Sequence, residues 1–121
     1  MHALALGLIG LVAFLHVWFC VLESFLWTTP FALKRLRMTK EQAEATRVLA
    51  QNQGLYNLFL AAGLLWALAG DPAQLLSRAT FFLGCVAVAG LVGAATAARL
   101  IHFLQTVPAT LALAVLWLSR T

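Results

Sequence analysis

An all-α fold, a four-transmembrane-helix bundle forming one integral membrane domain over residues 1–121, is what this sequence predicts, on three observations. Of its residues 63% are apolar and 10% charged, against about half and a quarter in soluble domains. Four apolar runs approach the roughly 20 helical residues that cross a hydrocarbon core. Eight Lys and Arg with four Asp and Glu are too few to cover a water-facing surface.

The first run extends from Ala3 to Trp27, giving a helix over about residues 3–28. A cleaved leader is not expected, because the run lacks a basic start, is too long, and is followed by no small-x-small site. Thr28, Thr29 and Pro30 end it. The segment to Arg47 carries Lys34, Arg35, Arg37, Lys40 and Arg47 against Glu41 and Glu44, and reads as the one substantial polar loop. Thr39 and Gln42 have capping-box spacing, so the second helix starts near Lys40, over about 40–69.

Gly70, Asp71 and Pro72 punctuate the next boundary. A third helix is read over 79–98 and a fourth over 100–118. Their separation near Arg99 implies a tight antiparallel hairpin, with one long bent helix as the alternative. Ala89-x-x-x-Gly93, Gly90-x-x-x-Ala94 and Gly93-x-x-x-Ala97 make the third helix the expected packing centre, since small residues let backbones approach closely in lipid. Arg47-x5-Gln53 and Arg99-x5-Gln105 echo each other too faintly to establish a repeat.

Alternate loops fall on alternate sides, so Lys34, Arg35, Arg37, Lys40, Arg47 and Arg99 share one side and Arg78 and Arg120 the other. The positive-inside rule then makes the first side cytoplasmic: a multi-pass cell (inner) membrane protein with both termini external. Trp27, Trp66 and Trp117 fall near helix ends, as in an interfacial belt, whereas Trp18 does not.

The net charge of +4 does not imply a nucleic-acid partner, because five of the eight cations sit in one loop rather than on a face interleaved with stacking aromatics. Cys20 and Cys85 lack metal-finger or C-x-x-C spacing and read as packing residues. The partners expected are the lipid bilayer, a small-molecule ligand and further copies in a homo-oligomer, since four thin helices enclose little volume.

Polar groups within membrane helices cost free energy unless partnered, so they carry most of the functional information. His16, Cys20, Glu23 and Trp27 follow one another at helical spacing along one face. Glu23 is the one acidic residue inside an expected span, and must be protonated, paired or turned to a wet cavity. The second helix opens with Arg47, Gln51, Asn52, Gln53, Tyr56 and Asn57, dense in amides. The fourth offers His102, Gln105 and Thr106, followed by Pro108, whose ring frees the carbonyl of Leu104.

Depth connects these groups. At 1.5 Å rise per residue, Glu23, Asn52 to Asn57 and Gln105 lie a few residues from the basic ends of their helices, and His16 lies roughly 10 Å deeper than Glu23. A cytoplasmic-leaflet pocket is expected, with Glu23, Asn52, Gln53, Tyr56, Asn57, Gln105 and His16 as candidate ligand-binding residues. The competing reading is that these side chains bond only to one another and hold the helices together. His16, Cys20 and Glu23 fall short of a metal set without other helices, so no metal site is expected, and no residue pattern names a cofactor.

The segments Leu22-Glu23-Ser24-Phe25-Leu26-Trp27-Thr28-Thr29-Pro30, Asn52-Gln53-Gly54-Leu55-Tyr56-Asn57 with Phe59-Leu60-Ala61-Ala62-Gly63-Leu64, and Gln105-Thr106-Val107-Pro108-Ala109 resemble the domain of unknown function 1304 family of small bacterial and fungal membrane proteins. That resemblance implies four membrane helices and transfers no established activity. Arg47, Gln51, Asn52 and Asn57 carry a weaker likeness to the membrane-associated eicosanoid and glutathione metabolism family, with Tyr56 where that family would place a glutamate. Three function classes follow: binding or transport of a small polar or amphipathic ligand; an enzyme of the glutathione-transferase or isomerase/epimerase kind on a lipophilic substrate, with Glu23 or His16 moving protons; and a structural or partner-binding protein.

Overall fold

The computed structural model describes the backbone of residues 1–96 and 99–120 and the side chains of 1–96 and 104–120. Among the described residues the chain is all-α: α1 (His2–Phe25), α2 (Pro30–Leu36), α3 (Lys40–Ala69), a 3-10 turn (Pro72–Gln74), α4 (Leu75–Thr96) and α5 (Arg99–Ser119). The first expected helix thus stops at Phe25 rather than near 28. Its end is set by Thr29, whose backbone N–H and hydroxyl donate to the carbonyl of Leu26 at 3.0 and 2.6 Å. Thr29 itself is extended (φ −77°, ψ 155°), as the ring of a following proline requires.

The basic segment, expected to be a loop, contains α2. The start signals were in the sequence: Thr29 caps the N–H of Ala32 at 3.4 Å, and Pro30 occupies the first turn, where its missing N–H costs nothing. The helix ends at Arg37, a left-handed residue (φ 53°, ψ 46°). This lets the N–H groups of Arg37 and Met38 cap the carbonyl of Leu33. Two residues on, the capping box closes: Gln42 N–H donates to Thr39 Oγ1 at 3.1 Å and Thr39 N–H to Gln42 Oε1 at 2.9 Å, opening α3.

Pro72 starts a helix rather than only ending one. Asp71 accepts the N–H of Ala73 at 3.0 Å, and the 3-10 turn feeds α4 from Leu75, earlier than the expected 79. The break between the third and fourth helices, expected near Arg99, adjoins residues 97–98, which with the side chains of Arg99 and His102 lie outside the described residues; α5 begins at Arg99 itself.

The chain falls into two compact units. One comprises Met1–Leu15 and the chain from Leu60 onward; the other is His16–Phe59, so α1 and α3 contribute to both. In the first, Ile9, Val12, Leu64, Leu83, Val86 and Leu116 are fully buried or nearly so. There α4 and α5 pack antiparallel, with Gly90 against Thr106 and Thr80 Oγ1 accepting from Trp117 Nε1 at 3.1 Å. The contacts of Gly90 with Thr106 and of Thr80 with Trp117 rule out one continuous helix.

Of the small residues expected to make the third helix a packing centre, Gly90 does so: a Cβ there would overlap Thr106 Oγ1 and lie 3.0 Å from the backbone nitrogen of Thr106. Ala89 and Ala94 are exposed and Gly93 half-buried, while Ala97 lies outside the described residues. The three motifs are three in-line readings of one helix, and one neighbour can meet only one of its faces.

Two helices, His2–Phe25 and the stretch Pro72–Thr96, are long and apolar enough to cross a membrane; among the described residues α3 and α5 are not in that class. For α3 the cause is its own first half, where amides interrupt the apolar run. Many outward-facing side chains are nonetheless large and apolar: Phe14 is 67% exposed, Phe25 76% and Phe81 65%.

Candidate functional site

In the unit His16–Phe59, α1 and α3 meet along matching seams. On α3 the buried positions Ala43, Ala50, Gly54 and Asn57 repeat at helical spacing, and all but Asn57 are small. On α1 the buried positions are His16, Phe19 and Leu22, with Glu23 half-buried. Gly54 permits the close approach: a Cβ there would overlap Ser24 Oγ and come within 3.1 Å of the carbonyl of Cys20.

That approach brings two sequence-selected residues together. Asn57 Nδ2 donates to Glu23 Oε1 at 2.5 Å. Asn57 is 8% exposed, and among the described residues no cation pairs with Glu23, since the one ion pair is Arg47 with Glu44 at 4.0 Å. Glu23 therefore has an amide partner, one carboxyl oxygen engaged by it, and no counter-charge. Close by, Cys20 Sγ lies 3.9 Å from Ser24 Oγ.

The other candidates divide. His16, two turns before Glu23 on α1, is fully buried, its ring meeting Phe19 edge-on at 5.4 Å. Asn52, Gln53 and Tyr56 share α3 with Asn57 but are exposed: at about 100° per residue Tyr56 and Asn52 sit roughly 100° and 140° around the helix from it, and Gln53, roughly 40° away, lies on the far side of Asn57 from Gly54. Gln105 is half-buried and belongs to the other unit. Trp27 does not extend the α1 face, since it lies past the helix end; its Nε1 donates to Thr46 Oγ1 at 3.0 Å. Thr46 in turn donates to the carbonyl of Gln42 at 2.8 Å. Sequence reading missed Gly54, Ser24 and Thr46 as the residues that hold Glu23 and Asn57 in register. The heptad spacing of Ala43, Ala50 and Asn57 was the signal available.

A hollow of about 160 Å³, lined by Pro72, Leu75, Leu76, Leu116 and Arg120 among others, lies in the other unit and holds none of the candidates. It is smaller than the ~300 Å³ at which drug-sized ligand sites begin.

The family described as "Protein of unknown function (DUF1304)" matches residues 10–117. The chain belongs to the DUF1304 family. The match covers α2 and α3 entirely and most of α1, so the Glu23 and Asn57 pair lies inside the DUF1304 region. Comparison with curated proteins and with solved structures found no match. The likeness to the eicosanoid and glutathione family has no support from these comparisons, and DUF1304 membership itself carries no activity.

Proposed function

We propose that this chain is an integral membrane protein of four spans, with Glu23 and Asn57 forming a binding centre for a small polar or amphipathic ligand. Lipid contact accounts for the exposure of large apolar side chains such as Phe14, Phe25 and Phe81. The spans are α1, the apolar part of α3, α4 and α5, with Lys34 to Arg47 on the cytoplasmic side and both termini external.

The observation that carries the binding role is the hydrogen-bonded Glu23 and Asn57 pair on an apolar seam, with no counter-charge among the described residues. A carboxyl group is a costly way to hold two helices together when a second amide or a leucine would serve. Its presence there fits a ligand that supplies a donor or cation at the second carboxyl oxygen. Binding or carriage is favoured over chemistry here, because Glu23 stands beside an amide and not beside an activated nucleophile.

Native mass spectrometry of the detergent-purified protein tests this reading. The wild type is expected to carry a co-purifying small molecule, and Glu23→Gln, which keeps the hydrogen-bonding shape, to lose it while unfolding at a similar temperature. Asn57→Ala is expected to lose both ligand and stability. If both variants keep the wild-type bound mass and melting temperature, the binding centre is wrong. If they lower stability but keep the bound mass, the pair is only an adhesive.

A further inference from the structure

The short helix α2 is not explained by the binding centre. Its two sides differ: Ala32 is fully buried and Leu33 and Leu36 half-buried, whereas Phe31, Lys34 and Arg35, at positions i, i+3 and i+4, form one exposed face. That face is braced. Phe31 meets Trp18 of α1 edge-on at 6.2 Å, and the Arg35 guanidinium lies 5.5 Å over the Phe31 ring. The chain then turns through the left-handed Arg37 and reaches Lys40, both exposed. Lys34, Arg35, Arg37 and Lys40 thus place four cations within seven residues. Among the described residues none is in an ion pair, since Glu44 pairs with Arg47 and Glu41 makes no salt bridge.

We propose that the α2 face, with Arg37 and Lys40, is a docking surface for the anionic phospholipid headgroups of the bilayer that holds α1 and α3, a proposal that rests on the membrane reading above. Charge complementarity selects the occupant. Unpaired cations directly beside a span, mixed with an aromatic ring, suit the boundary where phosphates meet acyl chains. Trp18, mid-helix and unexplained by an aromatic belt, gains a purpose: it carries Phe31 and so seats α2 against α1.

Nanodiscs test the proposal. The protein is reconstituted into phosphatidylcholine discs with and without phosphatidylglycerol, and melting temperature and retained phosphatidylglycerol are measured. The wild type is expected to melt several degrees higher with phosphatidylglycerol present, an advantage that disappears at about 1 M salt, where the screening length falls to ~3 Å. The variant carrying Lys34→Gln, Arg35→Gln, Arg37→Gln and Lys40→Gln is expected to retain about tenfold less phosphatidylglycerol. The salt arm uses the unaltered protein, so it decides the matter even if that variant folds poorly. Equal melting in both discs overturns the proposal and leaves the membrane reading intact; failure to enter either disc overturns both. If soluble polyglutamate displaces phosphatidylglycerol at comparable charge concentration without leaving the discs' melting advantage, the patch docks an acidic protein and the lipid proposal fails.

Discussion

Arg37 illustrates how one backbone angle shapes a connection. Its φ of 53° carries the αL cost of a residue with a Cβ, about 1–2 kcal/mol. The chain accepts it because its own N–H and that of Met38 then cap the carbonyl of Leu33. Arg37→Gly should therefore raise the unfolding free energy by roughly 0.5–1 kcal/mol, read from denaturant unfolding in mild detergent; an unchanged or lower value would place the compensation in the arginine side chain. Glu23 is the opposite kind of residue, unremarkable in backbone and demanding in chemistry. It was selectable from sequence as the one acid in an apolar run. Its partner was not, because five polar residues within seven positions of α3 looked alike until the helix was rotated against α1.

At the scale of elements, glycines set the distances. Gly54 lets α3 reach Cys20 and Ser24, and Gly90 lets α4 reach the backbone of Thr106. The Thr106 hydroxyl is buried there with no hydrogen-bond partner among the described residues, so its role is to fill the space Gly90 leaves. Gly90→Ala should cost about 1–3 kcal/mol through overpacking, despite the better helix propensity of alanine. Adding Thr106→Ala should recover part of that loss, because it removes the overlapping oxygen, but not all, because the Thr106 nitrogen is also close. Thermal unfolding of the two single variants and the double variant measures the coupling, and strict additivity would contradict the contact. The same scale holds the main revision of the sequence reading. The basic loop contains a helix, signalled by Thr29 and Pro30 but hidden by the habit of reading a charged, proline-started segment as a linker.

For the whole molecule, the four-span reading makes opposite assignments to the two polar turns. In a background with Cys20→Ala and Cys85→Ala, a cysteine placed at Lys40 should react with a membrane-impermeant maleimide only in inverted vesicles, and one placed at Asp71 only in right-side-out cells. Labelling of both positions from the same side would remove the antiparallel arrangement of α3 on which the cytoplasmic assignment depends. The stretch Pro72–Thr96 and α1 pass the test of length and apolarity unaided. α3 depends on its neighbours, since its amides must find partners before that half can leave water.

Composition and run length by themselves determined that the chain is all-helical, where its main polar segment lies, and that Glu23 is the group to explain, because these follow from local preference and from the cost of placing charge in an apolar run. Capping chemistry is equally local, so Thr39 and Gln42 located the start of α3 directly. Which amide meets Glu23, which glycine carries the α4 to α5 crossing, and that Asn52, Gln53 and Tyr56 face outward were decided only in three dimensions. Equal depth along two helices leaves their relative rotation open, and that rotation is fixed by where small residues allow the backbones to close.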